Sequence, residues 1–355
     1  MLNTTFKFIS MENLDGYCIE WKDSEGYIVS HKNKLYTSKN IYDIGSFKLL
    51  AEISLPLWVQ MLLKIRIAQR ALRIFFYNVI KIQDESLMLL ISFGNKLFVY
   101  KNGELVEITG IDKKFKILRG GCAIDNEGGA FFGEYFSNYE RLPVNIYYLK
   151  KNETNADVVY TFPRGEIRHV HGLFWDPYTF DIWCTTGDIG RECKIIKSSN
   201  KFKTIETVGS GDETWRAVSL IFTSTHIYYG MDAEFLINKI YRINRKNYLR
   251  EEIGTIDGPV YYSKKIYENK ILFSVAAEGA PSQQLNNASL WLVDDCNILK
   301  LLDFKKDIYP NILLPGTIHF PLGDQLSKDD LFINFNCLSK LDQKNYKIVL
   351  DNLIY

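Results

Sequence analysis

An arginine-led apolar run recurs along this chain at nearly constant spacing. It reads Arg119-Gly-Gly-Cys-Ala-Ile, then Arg168-His-Val-His-Gly-Leu, then Arg216-Ala-Val-Ser-Leu-Ile, with steps of 49 and 48 residues. A turn and a second strand-like run follow each one, at 130–132, 181–185 and 226–229, and two further apolar runs complete each unit. A period of this length with four short strands per unit is the pattern of a β-propeller blade. It argues against a parallel sheet with crossover helices. Equivalent positions of successive blades converge on one axis, so the spacing predicts that three arginines far apart in sequence share one pocket.

Seven units can be laid along the chain, at about 16–53, 73–108, 119–162, 167–208, 215–253, 258–302 and 315–350. The fourth is the clearest, because Asp176-Pro177-Tyr178 marks a turn between two apolar runs. A spare strand at 4–9 is placed to complete the last blade and remove an exposed sheet edge. No proline- or serine-rich linker interrupts the series. The expectation is therefore an all-β, seven-bladed β-propeller in one domain over 1–355, with six and eight blades as the neighbouring counts.

The net charge of +1 leaves no electrostatic footprint for nucleic acid. Cysteines at 18, 122, 184, 193, 296 and 337 show neither CxxC nor zinc spacing. They read as free thiols, and with no secretory signal visible at the start they fit a reducing cytoplasm. One segment breaks the strand pattern. From 57 to 80 the chain is rich in Leu, Ile and Phe but carries Lys64, Arg66, Arg70 and Arg73. That excludes a membrane span. A helix near 57–72 would carry Trp58, Leu62, Ile65 and Leu72 on one face, with Lys64 and Arg70 elsewhere. Such a helix is either an insertion packed on the propeller or a weak membrane-surface contact.

The last hairpin of the fourth unit reads Ser198-Ser199-Asn200-Lys201-Phe202-Lys203-Thr204-Ile205. It resembles a degenerate Asp-box, the bacterial-neuraminidase repeat Ser-x-Asp-x-Gly-x-Thr-Trp of sialidase-like propellers. Asn200 stands for Asp, Phe202 for Gly and Ile205 for Trp, and Ser38-x-Asn40 and Lys150-x-Asn152 take similar places in other units. The box marks a fold and carries no catalytic information. The resemblance implies an arginine triad that holds a sugar carboxylate, with Arg119, Arg168 and Arg216 in that role. It also implies a tyrosine nucleophile helped by a carboxylate, for which Tyr262 and Glu278 are candidates. The Phe/Tyr-Arg-Ile-Pro motif of sialidases is absent.

Two sets of loops return to one face of a propeller blade, and here both are rich in reactive side chains. They supply Arg119, Arg168, His169, His171, Trp215 and Arg216 before the first strands, and Glu134, Tyr135, Asp188, Asp232 and Glu278 after the second. Arginine forks bind carboxylates bidentately. Glu134, Asp188, Asp232, Glu278, His169 and Tyr262 are the acid, base or nucleophile candidates, and Tyr135, Trp215 and His171 are further substrate contacts. His169 and His171 flank Val170 and share a face, with Arg168 on the other if the strand is regular. No third ligand stands at fixed spacing from them, so no metal and no cofactor is assigned. The expected partner is an acidic saccharide or polysaccharide. The function is processing by a hydrolase or lyase, binding alone as a protein- or glycan-interaction module, or a step in polysaccharide assembly.

Overall fold

The computed structural model describes residues 5–82, 87–323 and 331–351. The chain is a seven-bladed β-propeller. Seven four-stranded sheets appear among the described residues, at 18–52, 76–107, 122–162, 170–210, 221–255, 260–305 and 317–351. The last has three strands of its own, and Thr5–Ser10 adds the fourth by pairing antiparallel with Asn345–Asp351. The spare N-terminal strand therefore completes the last blade, although Thr4 of the expected run lies outside the described residues.

In the other six sheets the strands follow chain order, so each of those blades is built from neighbouring strands of the chain. In five blades the pairing of third and fourth strand slips by one residue, at Leu35/Tyr36, Ile146/Tyr147, Ile195/Ile196, Ile240/Tyr241 and Leu290/Trp291. An extra residue at that place adds twist toward the blade edge. The second strands of blades 2, 3 and 4 are buried on both faces and read as unbroken apolar runs, whereas the fourth strands are largely exposed. In blade 4, Ile182 and Cys184 enter a core shared with Phe131, Ile146 and Phe162 of blade 3. The intervening Trp183 enters the core shared with Phe222, Ile227 and Tyr229 of blade 5.

Two glycines set the spacing of neighbouring blades. Gly133 and Gly230 each end a second strand, and a Cβ there would stand 2.5 Å from Val170 and 2.4 Å from Val260, the first residues of the next blades. The backbone closes the same contact. Val170 N–H donates to the Glu134 carbonyl at 3.0 Å, and Val260 N–H to the Met231 carbonyl at 2.8 Å.

The segment near 57–72 forms two short helices, α1 (Leu57–Leu62) and α2 (Arg66–Leu72). The expected apolar face is not the one that packs, since Val59 and Leu63 are the buried apolar residues. Trp58, Ile65 and Leu72 are exposed, whereas Arg70 is 2% exposed. Arg70 pairs with Asp307 at 2.6 Å and Asp342 at 2.7 Å, and Arg66 with Asp342 at 2.8 Å. Two carboxylates far along the chain thus draw Arg70 inward, while Lys64 and Arg73 stay exposed. No helix among the described residues is long and apolar enough to cross a membrane.

The chain divides into two compact units. One comprises Met1–Phe75, Lys264–Gly279 and Leu285–Tyr355, the other Phe76–Ser263 and Ala280–Gln284.

Candidate functional site

The second compact unit gathers most of the predicted site residues. Blade 4 opens with Val170–Trp175, and the residues just before and after Val170 carry the chemistry. Val170 pairs with Thr186 and Gly172 with Thr185, so His171 is the extra residue of a bulge. The second strand, Ile182–Thr186, ends at Gly187, whose φ of +80° turns the chain back over the start of the first. A Cβ at Gly187 would lie 2.0 Å from the Glu192 carbonyl oxygen, so only glycine fits this turn. Gly187 N–H donates to the His169 carbonyl at 3.1 Å, which places Asp188 against both histidines.

Asp188 is the centre of the cluster. Its Oδ1 stands 3.1 Å from His169 Nε2 and 3.2 Å from His171 Nε2, and the two ring nitrogens are 3.2 Å apart. Arg168 Nη1 donates to Asp188 Oδ2 at 2.6 Å. Arg216 reaches Asp188 Oδ1 at 3.5 Å and donates to its carbonyl at 3.2 Å, while its Nε donates to Asp232 Oδ2 at 3.0 Å. Strict strand alternation would separate Arg168 from the histidines. Arg168 and His169 precede the strand and His171 sits on the bulge, so all three converge on one carboxylate.

The histidines and Asp188 are buried. Burial lowers the His171 pKa to about 4, so that ring is neutral at pH 7. Burial also opposes ionisation of Asp188. Its surroundings, the Arg168 guanidinium at 2.6 Å among them, outweigh that cost and hold the carboxyl well below the usual range. Burial raises the Tyr135 phenol, whose ring packs 4.1 Å from that of His169. Each arginine is thus matched by a carboxylate, Arg168 by Asp188 and Arg216 by Asp232.

Other predicted residues stand differently. Glu134 is fully buried, but its carboxylate accepts from Asn145 and Tyr147 and pairs with Lys113. Arg119 is buried ahead of the strand Cys122–Ile124. Trp215 lies under the Arg250 guanidinium at 3.9 Å and stacks toward Tyr229, as part of the blade-5 packing. Tyr262 is half-buried on the strand Val260–Tyr267, with its ring edge-on to Tyr261. Glu278 belongs to the other compact unit.

Two features of the site were outside the sequence reading. Tyr139 is 75% exposed, and its ring lies 4.5 Å from the Arg168 guanidinium. Arg141 donates to Glu192 at 2.8 Å and ties the loops of blades 3 and 4 together. Tyr139 stands one residue beyond the polar loop 134–138, and an aromatic beside such a loop was the available signal. In the hairpin 198–205, Ser198 Oγ accepts from Phe202 N–H at 2.9 Å and Asn200 Oδ1 from Thr204 N–H at 3.0 Å. These are local turn bonds.

No family model and no curated protein sequence matches the chain. Solved structures match its fold. A chain of the mitotic checkpoint complex is 13% identical with a TM-score of 0.57, covering 97% of this chain and 93% of that one. YCF48 bound to D1 peptide is 11% identical with a TM-score of 0.56, covering 98% and 97%. Oligogalacturonate lyase in complex with manganese is 8% identical with a TM-score of 0.56, covering 99% and 91%. At these identities the likeness is one of fold.

Proposed function

We propose that this propeller binds an acidic saccharide at the cluster of Arg168, Arg216 and Asp188. The observation that carries the reading is an unused donor. Among the described residues, Arg168 Nε is buried and meets no acceptor, while Nη1 of the same guanidinium is committed to Asp188. A buried donor without a partner costs about 1–3 kcal/mol, which a ligand carboxylate or hydroxyl would remove. Tyr139 adds an exposed aromatic face beside that guanidinium, the surface on which a sugar ring stacks. One protein of this fold is named for an acidic oligosaccharide, oligogalacturonate.

A second reading, binding without catalysis, is favoured by the pairing of both arginines with carboxylates. Asp188 and Asp232 in ion pairs are poorly placed to act as acid or base. Another propeller of this fold is seen with a bound peptide. Calorimetry against sialic and uronic acid oligosaccharides tests the proposal. Arg168→Ala should weaken binding by about 2 kcal/mol or more. Absence of binding to every acidic saccharide, with a peptide binding at the same rim, would replace the saccharide reading by a protein-interaction one. Turnover that disappears in Asp232→Asn while binding survives would make the protein an enzyme.

A further inference from the structure

We propose that His169, His171 and Asp188 form a site for one divalent transition-metal ion. The inference goes beyond saccharide binding and does not depend on it.

The orientation of the two rings is the first argument. His169 Nδ1 lies 3.2 Å from the Phe136 carbonyl oxygen, and His171 Nδ1 lies 3.2 Å from that of Ala217. A carbonyl oxygen only accepts, so both contacts are hydrogen bonds when Nδ1 carries the proton. In a neutral ring Nε2 then bears a lone pair. The two lone pairs face each other at 3.2 Å and face Asp188 Oδ1 at 3.1 and 3.2 Å. Three acceptors at hydrogen-bond distance, with no hydrogen among them, repel one another unless a cation lies between. Histidines that bind metals are held in this way, the second ring nitrogen donating to a backbone carbonyl.

The distances are the second argument. Ligand atoms about 2.0–2.2 Å from a metal, at angles between a right angle and the tetrahedral value, stand about 2.8–3.6 Å apart. All three mutual distances fall inside that window. The three atoms are therefore spaced so that one ion could touch all of them.

A proton is the competing cation. A second proton on His169 would give an N–H that reaches Asp188 or His171. It would leave His171 Nε2 against Asp188 Oδ1 at 3.2 Å, acceptor to acceptor. A metal resolves all three contacts and a proton does not. Arg168 takes the other carboxylate oxygen, and Arg216, which pairs with Asp232 at 3.0 Å, stands farther from Oδ1, at 3.5 Å, than either ring nitrogen does. Two imidazoles and one carboxylate suit Zn²⁺, Fe²⁺, Co²⁺ or Mn²⁺ better than Ca²⁺ or Mg²⁺. Three protein ligands leave at least one position open for water or a ligand carboxylate. With the ion bound, the cluster gains two positive charges, which would draw an anion to that position.

The full chain, stripped with a chelator, is titrated with Co²⁺ and with Zn²⁺ in the absence of any saccharide. The expected result is one equivalent bound per chain, with visible Co²⁺ absorption from nitrogen and oxygen ligands. His169→Gln and Asp188→Asn should each weaken binding about 100-fold or more. Both positions are buried, so circular dichroism first establishes that each variant is folded. If a variant unfolds, nitrogen-15 histidine spectra of the wild type decide, since Zn²⁺ should shift Nε2 of both rings and leave Nδ1 protonated. No stoichiometric uptake by the wild type, uptake that survives both substitutions, or histidine signals indifferent to Zn²⁺ would overturn the site. Failure of saccharide binding leaves these measurements untouched.

Discussion

Replacing Asp188 by Asn keeps the shape of the side chain and removes one negative charge from the centre of the cluster. Asp188 is 7% exposed and contacts Arg168, His169, His171 and Arg216. In the variant Arg216 keeps Asp232, but Arg168 loses its carboxylate and retains the Tyr139 ring. Breaking a buried pair costs about 3–5 kcal/mol because one charge is left uncompensated. The Arg168 side chain keeps 23% of its exposure, so water recovers part of that loss. The expected destabilisation is therefore at the lower end, about 3 kcal/mol. With a urea slope of roughly 3 kcal/mol per molar, the midpoint should fall by about 1 M.

The sign of the pH dependence follows from the depressed Asp188 carboxyl. A group whose pKa is lower folded than unfolded contributes stability that is whole above its unfolded pKa, about 4 for Asp. That contribution is lost as pH falls toward the folded value. Urea unfolding in excess chelator, at pH 7 and stepwise down to pH 3, should show a constant gap between wild type and Asp188→Asn above about pH 5 and a narrowing gap below about pH 4. A gap under about 1 kcal/mol at neutral pH, or one that widens on acidification, would refute the buried-pair reasoning.

Three further outcomes are expected. Asp176 is fully buried and bound by both Arg245 Nη atoms at 2.7 Å, so Asp176→Asn should lower stability by about 3–5 kcal/mol in chemical denaturation. An Arg245→Met background should shrink that cost, and a cost unchanged in it would show the pair is not the cause. Gly133→Ala and Gly230→Ala each push a methyl into the valine of the next blade, and thermal melts should show about 1–3 kcal/mol of destabilisation. Cys296 is the exposed cysteine, whereas Cys122, Cys184, Cys193 and Cys337 are buried, with burial pushing Cys193 up to about 12 and Cys337 to about 11. A thiol reagent should accordingly label Cys296 first in the native protein, and Cys296→Ser should remove the fast phase.

The blades were legible in the sequence because each is a local object. Strands that follow one another in the chain pair with one another, so the period of the arginine-led runs and the Asp176-Pro177 turn fall where the sheets begin and bend. Even the completing strand at Thr5–Ser10 could be read, as an apolar run without a blade of its own. The candidate site was legible only as an inventory. Arg168, His169, His171 and Asp188 all stood in the loops expected to carry chemistry, but their meeting depends on a bulge at His171 and a left-handed turn at Gly187. Neither leaves a period in the sequence. The same holds for the third ligand of the histidine pair, since Asp188 reaches both rings across a strand pairing and not through spacing along the chain. The helical segment shows the strongest tertiary override. Its apolar residues predict that Trp58 and Leu72 turn inward, yet both are exposed and Arg70 is buried, because Asp307 and Asp342 wait for it more than 230 residues away. Hydrophobic pattern reports what a segment would bury by itself. Which charge finds a partner is decided only when distant strands bring the carboxylate to it.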